Sequence, residues 1–173
     1  MANLSPFAIF GLEPRFRIDL EDLARRHQSA MRKVHPDLFA GRSAAERRVA
    51  EQWSTRINEC YELLRNPVAR GAWLCEAAGC SVEAETRTSM PADFLVEQLE
   101  KREALESVDD AESARRFLEM AEADFGRLTE ETARAIDDRR DWPTAVDSVR
   151  RLMFAERLLT EARRRLAALA AQP

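Results

Sequence analysis

Asp19-Leu-Glu-Asp-Leu-Ala-Arg-Arg-His-Gln-Ser-Ala-Met-Arg-Lys-Val-His-Pro-Asp37 is the stretch on which the reading of this chain turns. Leu20, Leu23, Ala24, Met31 and Val34 recur at helical spacing, which gives one buried stripe. Asp19 is placed to cap the start, and Glu21 and Asp22 put negative charge at the positive end of the helix dipole. At about 100° per residue, Arg25, Arg26, Ser29, Arg32 and Lys33 gather on the opposite face. Pro36 disfavours helical geometry at His35, so the helix is predicted to stop there. Ser43-Ala-Ala-Glu46 reads as a capping box that opens the next helix. A His-Pro-Asp tripeptide is thus expected in a short loop at the end of a basic-faced helix.

Outward from the loop, the helix predicted over residues 44–65 aligns Val49, Trp53, Ile57, Cys60, Tyr61 and Leu64 along one side. Two such stripes joined by a short loop favour an antiparallel hairpin. A short helix over 3–10, with Gly11 as its stop, supplies Leu4, Phe7, Ile9 and Phe10 as anchors. Asn66-Pro67 caps and opens another short helix to residue 78, with Val68, Ala72 and Cys75 inward. Residues 81–89 carry few large apolar side chains and read as the seam between domains.

Pro91 opens a second helical region. Its helices are expected over 92–105, from the cap at Asp110 to about 138, and from Trp142-Pro143 to about 168. In the middle one, Ala114, Leu118, Ala121, Phe125, Leu128, Thr132 and Ile136 recur at steps of four and three, a coiled-coil-like seam. Val149, Leu152, Leu159 and Leu166 form the seam of the last, with Phe154 and Leu158 well off its centre. On the first, Leu95, Val96, Leu99, Glu100 and Glu103 share one face while Phe94 and Leu105 point elsewhere. A three-helix bundle needs one inward stripe from each member, so one of the two stripes is surplus. Exposed apolar surface beside acidic residues commonly marks a partner site.

The 173 residues, 34% of them charged and only 5 glycines, describe an all-α protein. A net charge of −4 conceals an asymmetry: 12 basic and 10 acidic residues up to Ala78, then 15 basic and 21 acidic. That balance disfavours nucleic acid as a partner. Three cysteines, Cys60, Cys75 and Cys80, are too few and too odd in number for a disulfide framework. Two thiols do not close a zinc site either, so no metal is expected. No run approaches the roughly 20 apolar residues that span a bilayer. No nucleophile motif accompanies the His-Pro-Asp tripeptide, and His27, the only other histidine, lies on the apolar face as a packed histidine. No catalytic residue, cofactor or membrane contact is expected.

A basic-faced helix, His35-Pro36-Asp37 and a second long helix together resemble a J-domain, the module by which co-chaperones stimulate ATP hydrolysis in DnaK-type chaperones. Ile57-Asn-Glu-Cys-Tyr-Glu-Leu-Leu-Arg-Asn-Pro67 resembles the Ile-Asn-x-Ala-Tyr-x-x-Leu-x-x-Pro run of the later J-domain helix. Phe94-Leu-Val-Glu-Gln-Leu-Glu-Lys-Arg-Glu103, with Val149-Arg-Arg-Leu-Met-Phe154, resembles the C-terminal bundle of the HscB family, co-chaperones of iron–sulfur cluster biogenesis. The resemblance implies a J-domain over 1–78, a linker over 79–90 and a scaffold-binding three-helix bundle over 91–173. It implies that His35, Pro36, Asp37, Arg25, Arg26, Arg32 and Lys33 engage an HscA-type chaperone. Leu95, Val96, Leu99, Glu100, Glu103 and Phe154 would dock IscU, the scaffold on which clusters are assembled. Many relatives have Tyr before the tripeptide and Lys after it, where this chain has Val34 and Leu38. The family's eukaryotic cysteine-rich N-terminal module and a transit segment are both missing, which implies a bacterial cytoplasmic form. A J-protein adaptor for a different client is the alternative that the same N-terminal half allows.

Overall fold

The structure, a computed structural model, describes residues 4–82 and 90–171. Among these residues the secondary structure is helical, with no strand. No helix among them is long and apolar enough to cross a membrane. The chain forms two compact units, Met1–Arg70 and Gly71–Pro173.

In the first unit, helix α1 (Pro6–Ile9) is capped by Ser5, whose hydroxyl accepts from the Ala8 amide at 3.1 Å. It ends at Gly11, whose φ of 63° is the left-handed geometry that glycine adopts without strain. Helix α2 (Leu20–Val34) starts where expected: the Asp19 carboxylate accepts from the amides of Glu21 and Asp22 at 2.9 and 3.0 Å. It stops at His35, whose ψ of 133° is the extended conformation a following proline imposes. A short 3-10 turn, Pro36–Phe39, leads to helix α3 (Ala44–Arg65). The capping box that opens α3 is complete, Glu46 accepting from the Ser43 amide at 2.9 Å and donating its own amide to the Ser43 hydroxyl.

Two cross-helix contacts fix α2 and α3 as antiparallel. His27 Nε2 lies 2.8 Å from Asn58 Oδ1, and the Ser54 hydroxyl lies 3.9 Å from the Met31 sulfur, so one number rises as the other falls. His27 also stacks on Tyr61 at 4.1 Å between ring centres, the packed and partnered histidine that its spacing implied. Phe7, Phe10, Phe16, Leu23, Ala50, Ile57, Cys60 and Leu64 are buried in this unit. Val49 departs from the expected inward stripe and is 48% exposed. Ala50 beside it is buried, so the buried line of α3 runs through Ala50, Ile57 and Leu64, and Val49 lies about 100° from Ala50 at the edge of that stripe.

Helix α4 (Pro67–Ala77) follows, and the division between units falls inside it rather than in the expected linker. Arg70 is buried and binds back into the first unit. Its guanidinium donates to the Phe16 carbonyl at 2.7 Å and to the Leu64 carbonyl, and stacks 4.9 Å over the Phe16 ring. Val82, by contrast, is tied to the second unit, its carbonyl accepting from Arg150 Nε at 3.0 Å. Most of the expected linker, residues 83–89, lies outside the described residues. Burial pushes the Cys75 thiol up to about 11, which leaves it a packing residue.

The second unit holds α5 (Ala92–Glu106), α6 (Ala111–Ala133) and α7 (Trp142–Ala170) in an up-down-up bundle. Leu105, Val108, Ala114, Phe117, Ala121, Leu158, Leu159 and Ala162 form one core cluster, flanked by Leu118, Phe125 and Leu166. Leu158 therefore faces inward although it lies off the seam of α7, because the end of α5 brings Leu105 to it. Helix α6 does not continue to residue 138 in α geometry. A π turn, Arg134–Arg139, replaces its end and closes with the Asp141 amide on the Ala135 carbonyl at 2.9 Å. The wider turn keeps Thr132, Ala133, Ala135 and Ile136 all buried, where an α-helix would swing part of that run outward.

Candidate functional site

Each unit carries one candidate surface. In the first, His35 both ends α2 and begins the 3-10 turn, so its backbone is fixed from two sides. Its ring nitrogen Nδ1 lies 3.3 Å from the Asp37 amide and 3.4 Å from Asp37 Oδ2. These contacts exclude one another: Nδ1 accepts from the amide when unprotonated and donates to the carboxylate when protonated. Either way His35 Nε2 is left to a partner, and His35 and Asp37 both stand in solvent.

The four cations expected on α2 do not have equal freedom. Arg25 and Arg26 both bind Asp22, at 3.1 and 2.6 Å. The bond to Arg26 leads in holding the Asp22 carboxyl below the usual carboxylate range. Arg26 also donates to the Phe10 and Gly11 carbonyls at 2.9 and 3.1 Å, so it serves as the clip between α1 and α2. Arg32 and Lys33 are exposed at the end of α2 and make no ion pair among the described residues. The free charge of the face is therefore concentrated beside His35.

In the second unit, α5 turns Phe94 and Leu105 inward and leaves Leu95, Val96 and Leu99 exposed by 41, 54 and 57%. Phe94 meets Phe154 of α7 edge-on at 5.5 Å, and the Arg151 guanidinium lies 4.8 Å over its ring. Midway along α5, Lys101 binds Asp124 of α6, and Glu97 at 2.7 Å. Burial works to lower the Lys101 pKa, but the two carboxylates outweigh it and hold it above the usual lysine value. The helix is thus held at its start, middle and end, with its apolar stripe outward.

Leu95, Leu99 and Phe154 meet in an open groove of about 290 Å³ between α5 and α7, lined also by Gln98, Arg102, Arg157, Leu158 and Glu161. Val96, Glu100 and Glu103 lie outside the groove on the exposed part of α5. Arg102 and Arg157 were missed by the sequence reading, although each stands three residues after an expected contact, Leu99 and Phe154, on the same helix face.

Residues 90–163 match the family described as the HSCB C-terminal oligomerisation domain. A Bordetella petrii protein named co-chaperone protein HscB homolog is 41% identical over 162 residues, covering 93% of this chain and 95% of that protein. The structure of chaperone HscB from Vibrio cholerae, 28% identical, aligns with a TM-score of 0.85 over 96% of this chain and 99% of that one. The crystal structure of human co-chaperone protein HscB, 24% identical, has the same fold, with a TM-score of 0.88 over 94% of this chain and 82% of that one.

Proposed function

The chain belongs to the HscB family of J-domain co-chaperones of iron–sulfur cluster biogenesis, and from that premise we propose that it captures an IscU-type scaffold and delivers it to an HscA-type chaperone. Its N-terminal J-domain stimulates the chaperone's ATPase, and its C-terminal three-helix bundle holds the scaffold. The chain performs no chemistry itself; ATP hydrolysis takes place in the partner.

The observation that carries this reading is the outward stripe of α5. Phe94 and Leu105 already meet the bundle's need for an inward stripe, so Leu95, Val96 and Leu99 stand exposed without an intramolecular task. With Phe154 they supply the apolar centre of a docking surface, and Glu100 and Glu103 its polar edge. On the other surface, His35-Pro36-Asp37 presents a directional donor and a carboxylate beside Arg32 and Lys33. These charges steer an acidic chaperone face, so coupling weakens as salt rises.

The test measures chaperone ATPase rate with scaffold and wild-type chain, then with His35→Gln, and scaffold capture with Leu95→Ala/Leu99→Ala/Phe154→Ala. The expected results are loss of stimulation in the first variant and at least about a 100-fold loss of scaffold affinity in the second. Stimulation that survives His35→Gln refutes the chaperone role. Capture that survives the triple substitution refutes the scaffold site, and a different client captured instead supports the adaptor reading. If the stripe instead serves self-association, as the family described as the HSCB C-terminal oligomerisation domain is named for, the same triple variant becomes monomeric in size-exclusion chromatography.

A further inference from the structure

Helix α4 ends in a turn that pairs two of the three cysteines. Gly79, at a φ of 80°, takes the left-handed geometry that closes a helix. Its amide donates to the Glu76 carbonyl at 2.9 Å, and the Cys80 amide donates to the Cys75 carbonyl at 2.9 Å. Together these bonds make the Schellman motif, whose two outer side chains commonly touch. Here the outer residues are Cys75 and Cys80. The direct main-chain bond between them also brings their Cα atoms within the reach of a disulfide, roughly 4.4–6.8 Å. The chain after the turn is fastened back onto α4, because the Glu76 carboxylate accepts from the Ser81 hydroxyl at 2.8 Å and the Val82 amide at 3.2 Å. Access separates the two thiols: Cys75 is buried and Cys80 is partly exposed. Burial leads in raising the Cys75 thiol to about 11, and a charge on Cys80 adds to the rise, so the two groups lie within electrostatic reach. The Cys80 thiol makes only a weak contact of its own, 3.9 Å from the Ala78 carbonyl, which leaves it free to turn toward Cys75.

We propose that Cys75 and Cys80 form a reversible thiol–disulfide site, oxidised by hydrogen peroxide through Cys80 and closed by Cys75. The Cys80 thiolate breaks the peroxide O–O bond, taking one oxygen as a sulfenic acid and releasing water. The Cys75 sulfur then attacks the Cys80 sulfur, and the displaced hydroxide leaves as water with the Cys75 proton. Two thiols lose two electrons and two protons, and one peroxide becomes two waters. While reduced, Cys75 packs and little of it is thiolate, but two effects offset this. A thiolate of high pKa is intrinsically the stronger nucleophile, and a tethered neighbour acts at effective concentrations of up to about 10⁵ M or more. The closed link ties the end of α4 two residues ahead of Val82, whose carbonyl Arg150 of α7 holds. None of this depends on which client the chain carries.

The experiment treats the folded full-length chain with equimolar hydrogen peroxide, unfolds it, and alkylates the remaining thiols with iodoacetamide before mass spectrometry. Trypsin, cutting after Arg70 and Arg87, releases Cys75 and Cys80 on one peptide and leaves Cys60 on another. The expected result is that the first peptide carries no label and is lighter than its reduced form by two hydrogens. Dithiothreitol given before alkylation restores both labels, and Cys60 stays labelled throughout. In Cys80→Ser, a change at a partly exposed position, Cys75 keeps its label under the same treatment. Cys75 still labelled in the wild type while Cys80 accumulates as sulfinic acid overturns the proposal. So do dimers linked through Cys80 in place of the internal bond, and loss of the Cys75 label in Cys80→Ser as fast as in the wild type.

Discussion

Helices α2 and α5 are both 15 residues long, and they divide their side chains between interior and solvent in opposite ways. Helix α2 turns its apolar stripe inward except for Leu20, which is exposed in its first turn, and shows charge, the ordinary arrangement of a surface helix. Helix α5 is anchored by Phe94 and Leu105 and shows Leu95, Val96 and Leu99. The outer face of α2 can act at a distance through its charge, and salt screens it. The outer face of α5 acts only on contact, through area removed from water, and salt leaves it nearly unchanged. On the proposed function, one chain carries a steering surface and a gripping surface on separate units.

The largest effect that sharpens the comparison lies on adjacent residues of α5. Phe94→Ala is expected to cost about 3–5 kcal/mol of stability in chemical denaturation, since it empties the edge-on contact with Phe154. Leu95→Ala next to it should change stability by less than about 0.5 kcal/mol. Equal costs for the two would break the division of α5 into anchor and display. On α2 the matching pair is Arg26 and Arg25. Arg26→Met removes donors from the Phe10 and Gly11 carbonyls and should cost about 1–2 kcal/mol. Arg25→Met, which loses only an exposed ion pair, should cost less than about 0.5 kcal/mol.

The smallest effect concerns the middle anchor of α5. Burial raises the Asp124 pKa, but the bonds to Lys101 and Arg127 outweigh it and leave the carboxyl below its ordinary 3.8. A carboxyl depressed on folding stabilises above its unfolded value, and that contribution is lost as pH falls through the folded value. Lys101 has the opposite sign: raised above its ordinary 10.5, its contribution is complete below that value and lost as pH rises through the folded one. Asp124→Asn is therefore expected to cost about 1 kcal/mol at neutral pH, and the gap from wild type should close as acid unfolding is approached. A gap independent of pH would remove the ionic anchor from the account of α5.

Local signals in the sequence carried over into the structure. Asp19, the Ser43–Glu46 box and Asp110 act within three residues of themselves, and each cap forms where the pattern placed it. Pro36, Pro67 and Pro143 mark helix starts by excluding other backbone geometry. The separation of Phe94 and Leu105 from the face of Leu95, Val96 and Leu99 held because it depends only on the helical period, whereas the choice of the outward face came from the family resemblance. What escaped depends on neighbours distant in sequence. Arg26 reaches carbonyls 15 and 16 residues away, and Arg70 is buried because Phe16, 54 residues earlier, offers it a carbonyl and a ring face. Val49 obeys its period but is exposed, since the surrounding elements cover the line through Ala50, Ile57 and Leu64 and leave that edge of the stripe open. The groove cations Arg102 and Arg157 read as ordinary solvated charge until α5 and α7 stand side by side.

The three anchors of α5 have a consequence for the thermodynamics of docking. Phe94, Lys101 and Leu105 fix the helix before anything binds, so the displayed stripe is already in place. A partner settling on it meets a surface whose backbone has no order left to gain, and only side-chain rotamers need freeze. The heat-capacity change on association should then match the apolar area covered, without the larger decrement that accompanies coupled folding.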